Sequence, residues 1–321
     1  MTDIPLGGGA EFDRIRAIAA ALGPAASGLG NDCAVLPPGF GEVVISTDSS
    51  IEGVHFRLDW LSLQEVGWRA ASAALSDLAA AGAEVVGLTA SIGTPAGTPV
   101  DQLVGLMRGV GAAVAAVGGR VLGGDLTAAP SWMVNITVIG RAARPLGRAD
   151  AVVGDTVWVT GTLGGPHAAL RAWEAGEAPP PGARERFAHP IPRIAEGRWL
   201  AAHGAHAMLD LSDGLGGDAA HLAAASGVRV ELDLEQIPVH PDAVARALAR
   251  GEPIQAFAAR GGEDYELLVA LPKRFDDVEA RRFQQDTGTV LTRIGRIRRG
   301  SGVAATFAGV AVTLSGYDHF R

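Results

Sequence analysis

Residues 63–91 read LQEVGWRAASAALSDLAAAGAEVVGLTAS. Residues 63–81 are rich in alanine and leucine at helical spacing, and Gly82 follows them as a helix stop. Residues 85–91 then form a short apolar run that is typical of a strand. A helix followed by a glycine and a buried strand predicts a fold that mixes α and β structure.

The same alternation continues on both sides of this stretch. In the first half we predict a helix over 101–117 and strands over 41–47 (ending at Asp48), 120–122 and 132–139. In the second half we predict helices over 217–225, 241–250 and 274–287, a surface loop at 179–182, and strands over 155–160, 207–211, 228–234, 266–271, 290–297 and 303–307. The turn-rich segment 144–154 has no periodicity, so we predict two domains, 1–148 and 149–321, of mixed α/β and α+β structure.

Composition excludes several classes of protein. The chain has 321 residues, a net charge of −8 and one cysteine, Cys33, so it forms no intrachain disulfide and no cysteine-based metal cage. A single cysteine fits a reducing cytoplasm, and the first residues lack the basic and apolar regions of a signal peptide. We expect a cytoplasmic protein without a membrane span, and its acidic balance disfavours nucleic-acid binding.

The lysine content narrows the possible nucleotide sites. Lys273 is the only lysine in the chain, and no Gly-x-x-x-x-Gly-Lys-Ser/Thr run is present. A Walker-type site is therefore excluded, and a protein-kinase-like site that depends on a strand lysine is disfavoured.

Carboxylates are the strongest chemical signal. Six aspartates are predicted at strand ends, in turns or among small helical residues: Asp32, Asp48, Asp77, Asp125, Asp210 and Asp213. Singly, Asp32 and Asp125 are also explained as turn residues and Asp48 as a helix cap. Asp77 lies inside a helix among alanines, which favours a functional role.

As a set, the aspartates predict a metal site. Strand-end acids from different elements are expected to converge at a common mouth of a sheet, where they repel one another unless cations neutralise them. Oxygen-only ligands indicate Mg²⁺ rather than zinc, and Mg²⁺ held by carboxylates commonly completes its shell with water and phosphate oxygens. We therefore predict a magnesium-bridged polyphosphate site.

The same residues carry a family resemblance over nearly the whole chain. Seven motifs stand in order: GNDCAV (30–35), STDSSIEGVHF (46–56), LSDLAAAGA (75–83), GGD (123–125), DLSDGL (210–215), GGEDYEL (261–267) and GYDHF (316–320). The set resembles the thiamine-monophosphate kinase family, within the ATP-binding superfamily of aminoimidazole ribonucleotide synthetase. The resemblance implies an N-terminal domain that dimerises through its sheet, a C-terminal α+β domain, and ATP-dependent conversion of thiamine monophosphate to thiamine diphosphate.

The resemblance also implies a role for each matching position. The magnesium-binding positions are matched by Asp32, Ser46, Thr47, Asp48, Asp77, Asp125, Asp210 and Asp213. The ATP-binding positions are matched by Gly124, Asp125, Arg148 and Ser212. The thiamine-phosphate positions are matched by His55, Glu263 and Tyr317. No catalytic side chain is implied, since the metal ions and positioning drive the transfer.

Alternatives remain open at this point. His55 also fits a half-buried histidine at a strand end, and Tyr317 fits a residue that packs the C-terminal segment. A sibling ATP enzyme, such as an aminoimidazole ribonucleotide synthetase or a hydrogenase-maturation dehydratase, shares the aspartates. The dehydratase would need a reactive C-terminal cysteine, where this chain ends YDHFR. A nucleotide or metal sensor would keep the aspartates but would not need His55, Glu263 and Tyr317 together.

Overall fold

The computed structural model of the protein describes residues 10–26, 39–314 and 316, and it has the mixed α and β structure predicted from the sequence. The described residues fall into two compact units. The first contains the described residues up to Leu78, with Ala83–Ala143 and Ala188–Pro192. The second contains Ala79–Gly82, Arg144–Phe187 and the described residues from Arg193 onward.

The first half of the chain supplies three helices and four strands among the described residues. In order they are α1 (Ala10–Leu22), β1 (Glu42–Ile51), α2 (Leu63–Ala80), β2 (Glu84–Thr94), α3 (Val100–Ala116), β3 (Val121–Ala128) and β4 (Met133–Ala142), and a short 3-10 turn, Gly23–Ala26, follows α1. The strands form a sheet in the order β1-β4-β2-β3, in which only β2 and β3 run parallel.

One face of this sheet is covered by helix α2. A Cβ built on Gly140 would lie 3.1 Å from the Leu78 side chain, so α2 packs on the face that Gly140 shares with the buried residues Ile136 and Val138. Leu88 and Ile92 of β2 are fully buried as well. Alternate residues of β1 therefore point either toward α2 or toward the opposite face.

Two glycines allow helices α2 and α3 to approach closely. A Cβ on Gly67 would lie 2.0 Å from the Leu106 carbonyl oxygen, and one on Gly109 would lie 1.9 Å from the Gln64 carbonyl oxygen. No side chain fits at either distance, which explains glycine inside two helices that it otherwise destabilises. The contact fixes α2, and with it Asp77, against the rest of the first unit.

The second half of the chain forms a larger sheet. Its helices are α4 (Gly165–Glu174), α5 (Pro181–Ala188), α6 (Ile194–Ala202), α7 (Leu215–Ser226), α8 (Pro241–Arg250), α9 (Ile254–Arg260) and α10 (Asp277–Thr287). Its strands are β5 (Thr156–Thr160), β6 (Ala207–Asp210), β7 (Arg229–Asp233), β8 (Leu267–Leu271), β9 (Leu291–Arg298), β10 (Gly302–Phe307) and β11 (Val310–Val312). The sheet order is β11-β10-β7-β9-β5-β8-β6, and only β7 and β10 pair in parallel. Every residue of β5, β6 and β8 is buried, so these strands form the centre of the second core.

Several predicted boundaries were wrong. Strand β1 does not end at Asp48 but continues to Ile51, because it pairs with β4 along its whole length. Strand β3 runs through Gly123, Gly124 and Asp125, for which a tight turn was the alternative, because these residues pair with β2. The segment predicted as a surface loop at 179–182 contains the start of α5, with Pro181 as its first residue, a position where its missing N–H costs nothing.

Candidate active site

Ser46, Asp48 and Asp77 lie on the helix-covered face of the first sheet. Ser46 lies opposite the buried Val138, and Asp48 lies opposite the buried Ile136. The Ser46 hydroxyl donates a hydrogen bond to Asp77 Oδ2 at 2.5 Å, which joins β1 to helix α2. The helical position predicted for Asp77 is confirmed, and its side chain is half-buried. The sheet and the helix thus bring together three oxygen-bearing side chains.

Gly124 shares this face and this level of the sheet. Asp48 pairs with Ile136, Ile136 pairs with Ala90, and Ala90 pairs with Gly124, so the four residues form one row across the strands. A Cβ on Gly124 would lie 2.0 Å from the Ala90 carbonyl oxygen. Only glycine fits here, and its backbone is exposed on the strand farthest from Asp48.

Thr47 and Asp125 lie on the opposite face of the same sheet. The Thr47 hydroxyl is 3.0 Å from that of Thr137 and 3.1 Å from Asn135 Oδ1. Asp125 is exposed and pairs with Ser91, which pairs with Asn135. The structure therefore does not bring these two predicted metal ligands to the face that carries Asp48 and Asp77.

His55 follows strand β1 and is half-buried. Its Nδ1 accepts a hydrogen bond from the Ile51 backbone N–H at 3.1 Å, which assigns the ring proton of the neutral side chain to Nε2. The ring is therefore held in one orientation at the end of the strand.

The second unit carries its own acidic group at the end of strand β6. Asp210 is the last residue of the strand and is buried, and Asp213 follows it in the connection to α7. Asp218 lies in the first turn of α7, also buried, and accepts a hydrogen bond from the Asp213 backbone N–H at 3.2 Å. We call Asp210, Asp213 and Asp218 the acidic cluster.

The surroundings of Asp218 in the acidic cluster disfavour the negatively charged form of its side chain. Burial, reinforced by the carboxylates of Asp210 and Asp213, raises the pKa of Asp218 to about 8. The Asp213 backbone N–H and the positive charge of Arg148 act in the opposite direction but do not compensate. Such a group of oxygen ligands suits a hard divalent cation or a proton.

Asp218 is a candidate that the sequence analysis missed. It falls between the motifs that carry the family resemblance. Its position in the sequence could have identified it. Asp218 is an acidic residue in the first helical turn after Asp213-Gly214, and a carboxylate there can accept hydrogen bonds from backbone N–H groups.

Arg148 is exposed, and its charge acts on Asp218. Its carbonyl oxygen accepts a hydrogen bond from the Ser226 hydroxyl at 2.7 Å, which ties the segment to the end of α7. The structure therefore places this predicted phosphate-binding arginine in the same region as the acidic cluster.

Glu263 is joined to Ser212 through the backbone. The Glu263 N–H donates to the Ser212 carbonyl oxygen at 2.8 Å, and the Tyr265 N–H donates to the Leu211 carbonyl oxygen at 2.9 Å. A Cβ on Gly262 would lie 2.3 Å from the Ser212 carbonyl oxygen, so the two segments touch. Predicted ATP and thiamine-phosphate positions are thus neighbours in the second unit.

The segment 261–266 carries two buried carboxylates, those of Asp264 and Glu266. Burial raises the pKa of Asp264 well above its usual range, and its Oδ1 accepts the Gly164 backbone N–H at 2.9 Å. Burial also acts to raise the pKa of Glu266, but Arg193, Arg186 and the Thr160 hydroxyl outweigh it and hold the pKa below its ordinary value. Both side chains anchor this segment to the core.

The predicted aspartates do not converge at one sheet. Asp48 and Asp125 belong to the four-stranded sheet and Asp210 to the seven-stranded sheet, which corrects the expectation of a common mouth. Asp32 and Tyr317 lie outside the described residues. Within the described part of the chain, no three His, Cys, Asp or Glu side chains are arranged to hold one metal ion. The carboxylate and hydroxyl oxygens that are present fit Mg²⁺ by their chemistry.

Comparison with known proteins gives the family. The chain matches the model of the AIR synthase related protein N-terminal domain over residues 30–142 and that of the C-terminal domain over residues 152–307. It is 35% identical to the thiamine-monophosphate kinase of Caulobacter vibrioides, over 95% of this chain and 89% of that protein.

Solved structures agree with the sequence matches. Thiamine-monophosphate kinase from Stenotrophomonas maltophilia K279a superposes with a TM-score of 0.81 at 32% identity, over 94% of this chain and 96% of that one. AaThiL complexed with AMPPCP and TMP superposes with a TM-score of 0.78 at 30% identity, over 97% of both chains. With its two matched domains and relatives alike over nearly its full length, this chain belongs to the thiamine-monophosphate kinase family.

Proposed function

We propose that the protein transfers the γ-phosphate of ATP to thiamine monophosphate and so forms thiamine diphosphate and ADP. The observation that carries this proposal is the full-length likeness to AaThiL, whose structure holds AMPPCP and TMP. The acidic side chains of both units, which lie among residues suited to phosphate contacts, are consistent with this function.

The reaction needs no nucleophilic side chain. A terminal phosphate oxygen of thiamine monophosphate is already ionised near neutral pH and attacks the γ-phosphorus in line. A new P–O bond forms, the bond between the γ-phosphorus and the β–γ bridging oxygen breaks, and ADP leaves. The chain then has to position the two phosphates and compensate their charge.

Magnesium is the proposed partner of the aspartates. We assign Asp32, Ser46, Asp48, Asp77, Asp210 and Asp213 as its ligands, directly or through water. The predicted ligands Thr47 and Asp125 are left out of this set, because they lie on the opposite face of the sheet from Asp48 and Asp77. When bound, Mg²⁺ neutralises phosphate charge, the task that a lysine performs in other nucleotide sites. Asp77 is oriented for this role by the Ser46 hydroxyl, and the raised pKa of Asp218 supports a cation near Asp210 and Asp213.

The remaining roles are proposed for single residues. Gly124, Asp125, Arg148 and Ser212 bind ATP, and His55, Glu263 and Tyr317 bind thiamine monophosphate. The fork of the Arg148 guanidinium suits phosphate oxygens, and the Glu263 carboxylate can accept from an aminopyrimidine. An aromatic ring such as that of Tyr317 suits the thiazolium cation.

We also propose a cytoplasmic homodimer with domains 1–148 and 149–321. In the first sheet, Val43, Ile45 and Met133 are 46%, 62% and 43% exposed on the face opposite α2, an apolar surface suited to a second copy. None of the helices in the described ranges is both long and apolar enough to cross a lipid bilayer.

The test is a product assay. The protein is incubated with ATP, Mg²⁺ and thiamine monophosphate, and thiamine diphosphate and ADP are quantified by chromatography. We expect the two products in equal amounts. ATP turnover without thiamine diphosphate would favour a sibling synthetase, and ATP binding without turnover would favour a sensor. Light scattering during size-exclusion chromatography measures the oligomeric state.

A further inference from the structure

Tyr265 contacts the carboxylate of Glu263 directly. Its hydroxyl donates a hydrogen bond to Glu263 Oε2 at 2.6 Å, two residues back along the chain. Tyr265 is only 8% exposed, and the hydrogen bond to the half-buried Glu263 is partly buried. A short hydrogen bond to a charged group is among the stronger ones in proteins.

Both residues have an unusual backbone. Glu263 has φ 71° and Tyr265 has φ 50°, in the left-handed region that non-glycine residues rarely adopt. Such a conformation persists only where the surroundings impose it, here through the backbone hydrogen bonds to Ser212 and Leu211. These backbone constraints place the Tyr265 hydroxyl next to the Glu263 carboxylate.

The fold of this segment has a separate anchor. Glu266 accepts hydrogen bonds from Arg193, Arg186 and Thr160 at 2.6–2.8 Å, and Asp264 accepts one from the Gly164 backbone. These bonds hold the segment in place whether or not the Tyr265 hydroxyl is present. The Tyr265 hydroxyl differs from these groups because it contacts the Glu263 carboxylate itself.

We propose that Tyr265 is a positioning residue for thiamine-monophosphate recognition, which holds one oxygen of the Glu263 carboxylate so that the group is presented to the substrate in a single orientation. The inference rests on the proposed role of Glu263 in binding the thiamine moiety. A carboxylate fixed in advance loses less conformational freedom on binding, so the benefit appears in substrate affinity.

The test is Tyr265→Phe, which keeps the ring and removes the hydroxyl. We expect the KM for thiamine monophosphate to rise roughly tenfold, the effect of losing one hydrogen bond to a charged group. The kcat should stay within about twofold, because the lost interaction holds thiamine monophosphate equally in the ground state and in the transition state. The KM for ATP should not change. An unchanged KM for thiamine monophosphate, or equal rises for both substrates, would overturn the proposal.

A matched control separates this role from a structural one. Thr160→Val removes the buried hydroxyl that donates to Glu266 Oε2 and accepts from the Leu267 N–H. We expect it to lower the melting temperature without raising the KM for thiamine monophosphate selectively. If Tyr265→Phe behaves as Thr160→Val does, Tyr265 serves only the fold.

Glu263→Gln and the double variant distinguish the inference from the proposed function. If Glu263 does not bind the substrate, Glu263→Gln leaves the KM for thiamine monophosphate unchanged, and the assignment of Glu263 itself is wrong. If Glu263→Gln raises this KM but Tyr265→Phe does not, only the positioning role is wrong. If both raise it, the double variant should lie close to Glu263→Gln alone, because Tyr265 acts through Glu263. If the KM of the double variant rose by the product of the two single increases, Tyr265 would not act through Glu263 and the proposal would be contradicted.

Discussion

Glu266 and the acidic cluster of Asp210, Asp213 and Asp218 place carboxylates in the same core with opposite results. At Glu266 two arginines and a hydroxyl outweigh the effect of burial and lower the pKa. At Asp218 burial and the two neighbouring aspartates outweigh Arg148 and raise the pKa to about 8. Both regions belong to the second unit and are joined by backbone hydrogen bonds between the 211–212 and 263–266 segments.

The difference distinguishes an acid whose charge is compensated within the fold from acids that are proposed to bind a cation. Glu266 is neutralised by Arg193 and Arg186, so the folded chain compensates this charge by itself. In the acidic cluster Arg148 does not outweigh burial and the neighbouring carboxylates, so under the proposed function a bound cation supplies the missing positive charge. We therefore expect the two regions to respond oppositely to metal, to mutation and to pH.

Metal removal gives the largest expected effect. In excess EDTA we expect turnover to fall at least about a thousandfold, because a bound cation supplies several kcal/mol of transition-state stabilisation. Mg²⁺ or Mn²⁺ should restore activity, and Zn²⁺ should not substitute well for them. Coupled measurement of ADP release tests this, and full turnover in EDTA would remove the basis for reading the acidic cluster as a cation site.

Removing an arginine that compensates the charge of Glu266 should lower the free energy of unfolding. The Arg193 side chain is 12% exposed and donates to both oxygens of the fully buried Glu266. Arg193→Met leaves a buried charge poorly compensated, so we expect the free energy of unfolding in urea to fall by about 3–5 kcal/mol.

The exposed ion pair of Arg57 and Asp59 provides the control for that variant. Its side chains are 54% and 59% exposed, so Arg57→Met should lower the free energy of unfolding far less than Arg193→Met does. Similar losses for the two arginine variants would show that the Glu266 region is not the self-compensated site described above.

Asp77→Asn extends the comparison to the first unit. The substitution keeps the shape and can still accept from Ser46, so the melting temperature should change little. It removes a charge assigned to Mg²⁺, and we expect turnover to fall by at least about a hundredfold, or roughly 2.7 kcal/mol. Steady-state rates across a magnesium titration measure this. Near-normal turnover with unchanged magnesium dependence would return Asp77 to a structural role.

The pH dependence of stability gives the smallest expected effect when it is counted for a change of one pH unit. Because the pKa of Asp218 is about 8 in the folded protein and 3.8 for an unperturbed aspartate, its stabilising contribution is present below pH 3.8 and is lost as pH rises toward 8. In EDTA the loss is at most about 1.4 kcal/mol per pH unit, and Asp218→Asn should flatten it. Urea unfolding at pH 5, 6.5 and 8 measures the slope.

Asp101→Asn serves as the control for this slope. Asp101 is an exposed carboxylate in the first turn of α3 and belongs to the first unit, so its replacement leaves all three carboxylates of the acidic cluster in place and should leave the fall attributed to Asp218 unchanged. An Asp218→Asn protein whose stability still falls with the wild-type slope would contradict the electrostatic description of the acidic cluster.

Local patterns predicted α2, α3, α7, α8, α10 and the central strands well, whereas α1, α5, α6 and α9 were not predicted. Helix α2 was predicted over 63–81 and observed over Leu63–Ala80, and α8 matches its prediction of 241–250. These elements have strong apolar periodicity or a capped, proline-started first turn. Strand ends were predicted less well, since residues 48–50 near the end of β1 are polar and are held in the strand by pairing with β4.

The sequence names candidate site residues, but it does not give their arrangement. Motif matching gave Asp48, Asp77 and Glu263, yet strand alternation and register decide that Thr47 and Asp125 face away from Asp48. Asp218 was missed because its significance comes from burial beside two other carboxylates, a property of the folded chain that short motifs do not encode.

The left-handed backbone of Glu263 limits how the thermostability of this protein can be increased without losing the Glu263 carboxylate. Glycine adopts φ 71° without strain, so Glu263→Gly relieves a conformation that disfavours folding, at the loss of the carboxylate. A library selected only for heat resistance should therefore drift toward glycine at 263 and lose the contact to thiamine monophosphate that is proposed for Glu263. At this position, directed evolution has to select for activity in every round, because thermostability alone favours a different residue.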